Sequence, residues 1–410
     1  MPFGRSDPSD INHRGDPTPS HITAGPPSAA SRVAVVRCEG YDEDAVHQAA
    51  GRGLALLGGA ERFVRPGELI LLKPNLLVAS PPERHVTTHP AVFRAVALHL
   101  QAAGARLSFG DSPGFGWMKG VAWRAGLLRV AEELGVASAD FSDGETVSFP
   151  EGRLIKQFVI ATGALAADGI VSLPKFKTHG LTRLTGAVKN QLGCVPGLLK
   201  GEFHARMPDV DRFCQVLVDL NRLLRPRLYV MDGIVAMEGR GPRNGSPRPM
   251  SALLLSTDPV ALDATACRMM DLNPALVPTN TWGEKWGLGR AHTVEILGDP
   301  LETFVTPDFQ VNRRPVSTGG RRGPFSSFMQ SWVIPRPSVW PANCTRCGTC
   351  VKVCPVTPKA ITFHNGRTAP PVYDYDLCIR CYCCQEMCPH RAIERKTPFL
   401  GKVLLGRGGR

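Results

Sequence analysis

One cysteine pattern, written twice, constrains this chain more than anything else in it. Cys344, Cys347, Cys350 and Cys354, followed by Pro355, and Cys378, Cys381, Cys384 and Cys388, followed by Pro389, both read C-x2-C-x2-C-x3-C-P. Three thiolates this close in sequence cap three irons of one cubic cluster only if the backbone turns tightly, and the fourth ligand then comes from the other copy. The spacing therefore predicts two [4Fe-4S] clusters with crossed ligation. Cys344, Cys347, Cys350 and Cys388 would hold the first, and Cys378, Cys381, Cys384 and Cys354 the second. Four soft thiolates also suit zinc, but zinc ribbons use two C-x2-C pairs parted by a longer spacer, not a doubled run. Cys383 lies between ligands of the second copy and reads as a bystander packed near a cluster.

Nine of the 13 cysteines fall between Cys344 and Cys388. Cys38, Cys194, Cys214 and Cys267 are scattered, as ordinary buried thiols are in a reducing cytoplasm, which is the expected location. At 410 residues the chain calls for more than one folding unit. No run of about 18 uninterrupted apolar residues is present, so no transmembrane helix is expected. Residues 1–31 mix Pro, Ser, Gly and Asp without the apolar stretch of a secretory signal and read as a disordered leader. The net charge of +12 is concentrated outside the domains: residues 311–341 hold five arginines and no acid, and residues 391–410 hold six Lys/Arg against Glu394 alone. Aromatic residues are not interleaved with these charges as a base-stacking platform needs, which argues against nucleic acid. In the basic tail, residues 395–410, Phe399, Leu400, Val403, Leu404 and Leu405 offer a peripheral membrane contact, set against a tail docked on the protein or disordered.

From residue 32 to about 315, short β-branched runs alternate with helical stretches, the pattern of an α/β domain with a mostly parallel sheet. Strands are expected at Arg32–Cys38, Leu69–Lys73, Arg106–Phe109, Gly169–Leu173, Arg227–Met231, Ala252–Leu255 and Thr293–Leu297. One helix should start near Thr88, with Pro90 early in it, and stop at Gly104; another should cover Asp209–Leu224. Residues 316–341 form an Arg/Pro/aromatic linker whose Phe325, Phe328, Trp332 and Trp340 are expected to pack across the α/β domain. Residues 342–394 form the small α+β cluster-binding domain, bacterial-ferredoxin-like in its motif.

In open α/β sheets ligands sit at the carboxyl ends of strands. The loops that follow the expected strands bring Lys73 and Asn75, then Asp111 and Ser112, then Lys175, Lys177, Thr178, His179, Lys189 and Asn190, and finally Glu238. The third of these stretches continues through Thr182, Arg183 and Thr185 to Lys200 and His204. Lys73, Lys175, Lys177 and Lys189 all lie beside apolar runs, which points to a shared site for an anionic ligand. Lys175, Lys177, His179 and Lys189 are the candidate catalytic groups, since a desolvated lysine can donate a proton. Lys73, Asn75, Asp111, Ser112, Thr178, Asn190 and Glu238 are the candidate substrate contacts. His179 and His204 with Asp111, Asp232 or Glu238 match no tight metal spacing. Neither the glycines of residues 110–114 nor those of 239–245 make a phosphate-loop or dinucleotide fingerprint.

The segments KPNLL, TTHPAV, GDSPG, LPKFKTHGLTRLTGAVKNQLGCVPGLLK, MDGIVAMEGRGPRNG, STDPVALDATACR and CIRCYCCQEMCP stand in this order. In them the chain resembles, over residues 32–395, the family known as domain of unknown function 362, often fused to a two-cluster ferredoxin module. The resemblance implies an α/β domain acting with iron-sulfur clusters and supplies no substrate. The expectation is an iron-sulfur electron-transfer protein. In the leading reading it is an oxidoreductase that exchanges electrons with a redox partner or reductant and passes them between the clusters and an anionic small molecule at the strand-end loops. It either reduces or oxidises that molecule, with reduction the commoner use of this motif. The competing reading is a non-catalytic carrier or assembly partner whose α/β domain only binds a ligand or protein.

Overall fold

The structure is a computed structural model and describes residues 30–197, 200, 209–314, 335–364 and 366–398. His204, most of the aromatic linker (Phe325, Phe328 and Trp332 included) and the apolar part of the basic tail lie outside the described residues. Among the described residues, no helix is long and apolar enough to cross a membrane.

The α/β domain is built on strands β1 (Ser31–Arg37), β2 (Leu69–Pro74), β3 (Arg106–Phe109), β4 (Ala137–Ser138), the separate hairpin β5 (Gly144–Ser148) and β6 (Gln157–Ala161), β7 (Gly169–Leu173), β8 (Lys175–His179), β9 (Arg183–Leu184), β10 (Leu228–Glu238), β11 (Ser246–Ser256) and β12 (Val294–Gly298). The main sheet runs β12-β1-β11-β10-β7-β2-β3-β4. Neighbours along it are parallel except around β11, which is antiparallel to both β1 and β10. Continuous apolar runs such as Val33 to Val36 and Ile70 to Leu72 are buried on both sides, as central strands between two helical layers must be. One apolar cluster fills the side covered by helices Glu43–Leu56 and Pro90–Ala102; others pack under helices Val210–Leu224 and Pro259–Met269. The start and stop signals of the second helix are realised, with Pro90 at its first turn, the His89 side chain accepting from the Ala91 N–H, and Gly104 beyond its end at φ 87°.

Two segments expected to be loops are strands. Lys175–His179 is β8, parallel to β10 and antiparallel to β9. Residues 232–238 continue β10 beyond Met231, and β11 returns antiparallel to it from Ser246, with a register shift between Gly233 and Val235. Their polar side chains disguise them. Lys175, Lys177 and Asp232 find buried partners inside the fold, so burial costs less than their charges suggest.

The small domain pairs Arg336–Val339 with Ile393–Lys396 and Ile361–Thr362 with Val372–Tyr373, and adds helices Thr349–Lys352 and Cys383–Met387. Residues 336–339, expected in the linker, thus belong to this domain, as do Arg395 and Lys396 from the expected tail. The tip of the β10–β11 hairpin holds the domain in place. Arg243 Nη1 donates to the Met387 carbonyl at 2.5 Å, Asn244 Nδ2 to the Cys388 carbonyl at 3.1 Å, and Arg240 pairs with Glu394 at 3.3 Å. The Met387 side chain enters an apolar cluster with Val78, Val86 and Met237 of the α/β domain.

Candidate functional site

The two cysteine runs wrap in the same way. Arg346 and Arg380 take left-handed backbone angles at equivalent places (φ 58° and 57°), as do Gly348 and Tyr382 (φ 79° and 61°), which lets each run double back on itself. One pocket is lined by Cys344, Cys347, Cys350 and Cys388, the other by Cys354, Cys378, Cys381 and Cys384. Each therefore gathers three thiols from one run and one from the other, a donor set that fits a [4Fe-4S] cluster. Donors reach the sulfurs: the Ala392 N–H to Cys388 Sγ at 3.3 Å and the Tyr373 hydroxyl to Cys384 Sγ at 3.1 Å. Burial pushes the Cys350 thiol up to about 11, so a nearby positive centre is needed to keep it a thiolate. Cys383 occupies the place that Thr349 has in the first run, where the Thr349 hydroxyl lies 3.4 Å from Cys347 Sγ; Cys383 is likewise hydrogen-bonded to Cys381.

Between the domains lies a cavity of about 1100 Å³. The α/β domain lines it with Lys73, Asn75, Asp111, Ser112, Lys177, His179, Thr185, Lys189, Asn190 and Lys200, and the small domain with Lys352, Cys354, Lys359, Cys383 and Glu386. Lys73 pairs with Asp111 at 3.0 Å, and Asp111 accepts the Leu76 N–H at 2.6 Å. Gly193 is required beside this pair, since a Cβ there would stand 1.7 Å from Asp111 Oδ1. Lys177 donates to Asn75 Oδ1 at 2.7 Å and to the Val86 carbonyl at 2.6 Å, both neutral groups. Burial, then the nearby ammoniums of Lys189 and Lys175, hold its pKa well below the usual lysine range. Lys200 donates to the Ser112 and Pro113 carbonyls, and burial pulls it down to about 7.

Strand alternation explains which expected residues meet here. Lys177 and His179 share the face of β8 that turns to the cavity, while Phe176 enters the core beneath β10 and β11. Thr178, on the Phe176 side, accepts from the Gly241 N–H at 3.2 Å and holds the hairpin. Glu238 accepts from the Gln310 N–H at 2.9 Å and is no part of the cavity wall. Lys175 is sealed away in an ion pair with Asp232 at 2.7 Å, both side chains fully buried. These three depart from the expected site. Sequence reasoning missed Lys352, Lys359, Glu386 and Cys354 as cavity residues. A signal existed for two of them, because Lys352 and Glu386 hold the same place in the two cysteine repeats.

His179 Nδ1 accepts the N–H groups of Leu181 and Thr182 at 3.0 and 3.2 Å, which leaves its proton on Nε2, 3.3 Å from Glu386. His89 Nδ1 likewise accepts a backbone N–H at 3.2 Å. Burial pulls both rings down to about 4, so both stay neutral in the folded protein. Unfolded histidines protonate near 6.5, so below that pH the unfolded chain binds more protons and stability falls until about pH 4. The loss should be roughly 2 kcal/mol per ring at pH 5. His89→Asn keeps a capping oxygen without the titration; denaturant unfolding at pH 7 and 5 should show a smaller loss than in wild type, and equal losses would refute the assignment.

The family model described as domain of unknown function (DUF362) matches residues 70–268, and that of a 4Fe-4S dicluster domain matches residues 343–392. Thylakoid-associated protein sll1697 of Synechocystis sp. is 38% identical over 280 residues, covering 67% of this chain and 85% of that protein. Among solved structures, the lactate racemase apoprotein of Thermoanaerobacterium thermosaccharolyticum overlays with a TM-score of 0.38 at 12% identity, over 58% of this chain and 56% of that one, a likeness too weak to bear on fold or chemistry. These sequence matches, with the paired cysteine pockets, make the chain a member of the DUF362 family that carries a 4Fe-4S dicluster domain for iron-sulfur electron transfer.

Proposed function

We propose that the protein is an oxidoreductase in which two [4Fe-4S] clusters, held by the crossed cysteine sets, deliver electrons to an anionic small molecule in the cavity between the domains. The observation that carries this reading is that Cys354, a ligand in the second set, lines the same cavity as Lys73, Lys177, Lys189 and Lys200. The clusters, when bound, supply one-electron chemistry. Lys177 and Lys189 attract the anion, and their desolvated ammoniums stabilise the negative charge that reduction adds. Lys200, poised near neutrality, provides a proton from Nζ. The small domain closes the outer wall and limits water. A redox partner protein or small reductant recharges the clusters.

The test is single-turnover reoxidation of the dithionite-reduced protein by fractionated cell metabolites. With cluster content matched, Lys177→Met and Lys189→Met should be reoxidised by the active fraction about tenfold to a hundredfold more slowly than wild type. If no fraction distinguishes wild type from these variants, the non-catalytic carrier reading takes over.

A further inference from the structure

Lys177, Thr185 and Lys189 bring three side-chain donors to the cavity wall. Thr185 is 4% exposed, and its hydroxyl has no hydrogen-bond partner among the described residues. A buried hydroxyl in that state is uncommon in folded proteins and asks for a ligand. The Thr185 N–H donates to the Lys177 carbonyl at 2.9 Å, which sets the two residues side by side. Lys189 follows four residues later, at the end of helix Gly186–Asn190, and so returns to the Thr185 side of that turn. The ammoniums of Lys177 and Lys189 are close enough to repel each other. Lys177 uses two of its N–H groups on neutral oxygens and keeps one; among the described residues the Lys189 ammonium makes no side-chain hydrogen bond, and Glu386 is the acid that acts on it first.

We infer that Lys177, Lys189 and Thr185 form a subsite for a phosphoryl group on the cavity's ligand. A phosphate monoester near neutral pH carries close to two negative charges on three terminal oxygens, which matches two ammoniums and a hydroxyl donor. A carboxylate brings one charge and two oxygens and matches fewer of these three donors, and the nearby Glu386 and Asp111 carboxylates already offset part of the lysine charge. This inference rests on the reductase reading for the cavity's occupant and narrows it to phosphorylated molecules. The competing role for these lysines is to balance the negative charge of the neighbouring cluster, which would require no ligand.

The experiment is isothermal titration of the anaerobically prepared, oxidised full-length holoprotein with inorganic phosphate, glycerol phosphate and succinate. Phosphate and the monoester should bind at least tenfold more tightly than succinate. Thr185→Val and Lys189→Gln should each weaken phosphate at least tenfold with the cluster absorbance unchanged, and Thr185→Ser, which keeps the hydroxyl, should bind like wild type. Succinate binding as tightly as phosphate, absence of phosphate binding, or unchanged affinity in both weakened variants would each overturn the subsite. A shift in cluster potential in Lys189→Gln without a change in phosphate affinity would assign the lysine to the cluster instead. No electron moves in this titration. Phosphate binding without reoxidation by any metabolite would therefore sink the reductase reading alone, and reoxidation with unaltered phosphate affinity in the variants would sink the subsite alone.

Discussion

Replacing Cys354 with Ser should leave the protein with about four irons and four sulfides in place of about eight and slow its reoxidation at least about a hundredfold. The reason lies in where the sulfur stands. Cys354 closes the first cysteine run but lines the pocket of Cys378, Cys381 and Cys384, and it also lines the cavity between the domains. Losing it should remove the cluster nearer the ligand and leave the other, behind Cys344, Cys347, Cys350 and Cys388, without an outlet. Iron and sulfide analysis of double variants separates crossed from uncrossed ligation. Cys354→Ser with Cys378→Ser should lose no more iron than either alone, whereas Cys354→Ser with Cys350→Ser should lose all of it. The reverse pattern would mean that each run holds its own cluster.

Lys175→Met should destabilise the α/β domain by about 3–5 kcal/mol while leaving reoxidation per folded molecule near wild type. Burial works to raise the Asp232 carboxyl, but the Lys175 ammonium and the His89 N–H override it and hold the carboxyl below its usual range. Asp232 also accepts the Tyr41 hydroxyl at 2.8 Å and the His89 N–H at 2.9 Å, so it cannot swing away when its partner is lost. A buried carboxylate left unpaired costs far more than an exposed one. The expected fall in melting temperature is roughly 10 °C, and Lys175→Met combined with Asp232→Leu should recover most of it, because a hydrophobic pair of similar volume replaces an ion pair at little cost. Full stability with lost reoxidation would instead return Lys175 to the reacting groups.

The cysteine repeat and the β-branched runs were legible because each follows from local spacing alone: Cys344 to Cys388 from ligand geometry, Val33 to Val36 and Ile70 to Leu72 from burial on two faces. The lysines were legible as a group but not one by one. Lys73, Lys177 and Lys189 reach one cavity, yet Lys175, two residues from Lys177, does not, because β8 is long enough to pass from the inner core to the cavity. A strand written Lys-Phe-Lys-Thr-His offers no apolar alternation on its lysine side, so it reads as a loop until its partners Asp232 and Asn75 are known, and these arrive from distant segments. Lys352 and Glu386 were hidden for another reason. Their role depends on how the small domain sits, which is set by the side chains of Arg243 and Met387 rather than by any pattern near the cysteines.

Strand β8 serves three regions at once: Lys175 ties the inner core, Lys177 charges the cavity floor and His179 meets Glu386 of the small domain. Successive same-side residues of a strand stand about 6.5 Å apart, so β8 acts as a ruler whose marks fall on core, cavity and docked domain in turn. Adding or removing one residue ahead of Phe176 would turn that ring toward the cavity and drive the lysines into the apolar layer. An inserted residue in an exposed loop shifts few partners, whereas one in this strand shifts all three. The spacing between charge and cluster would then be inherited as a unit, however far the ligand changes.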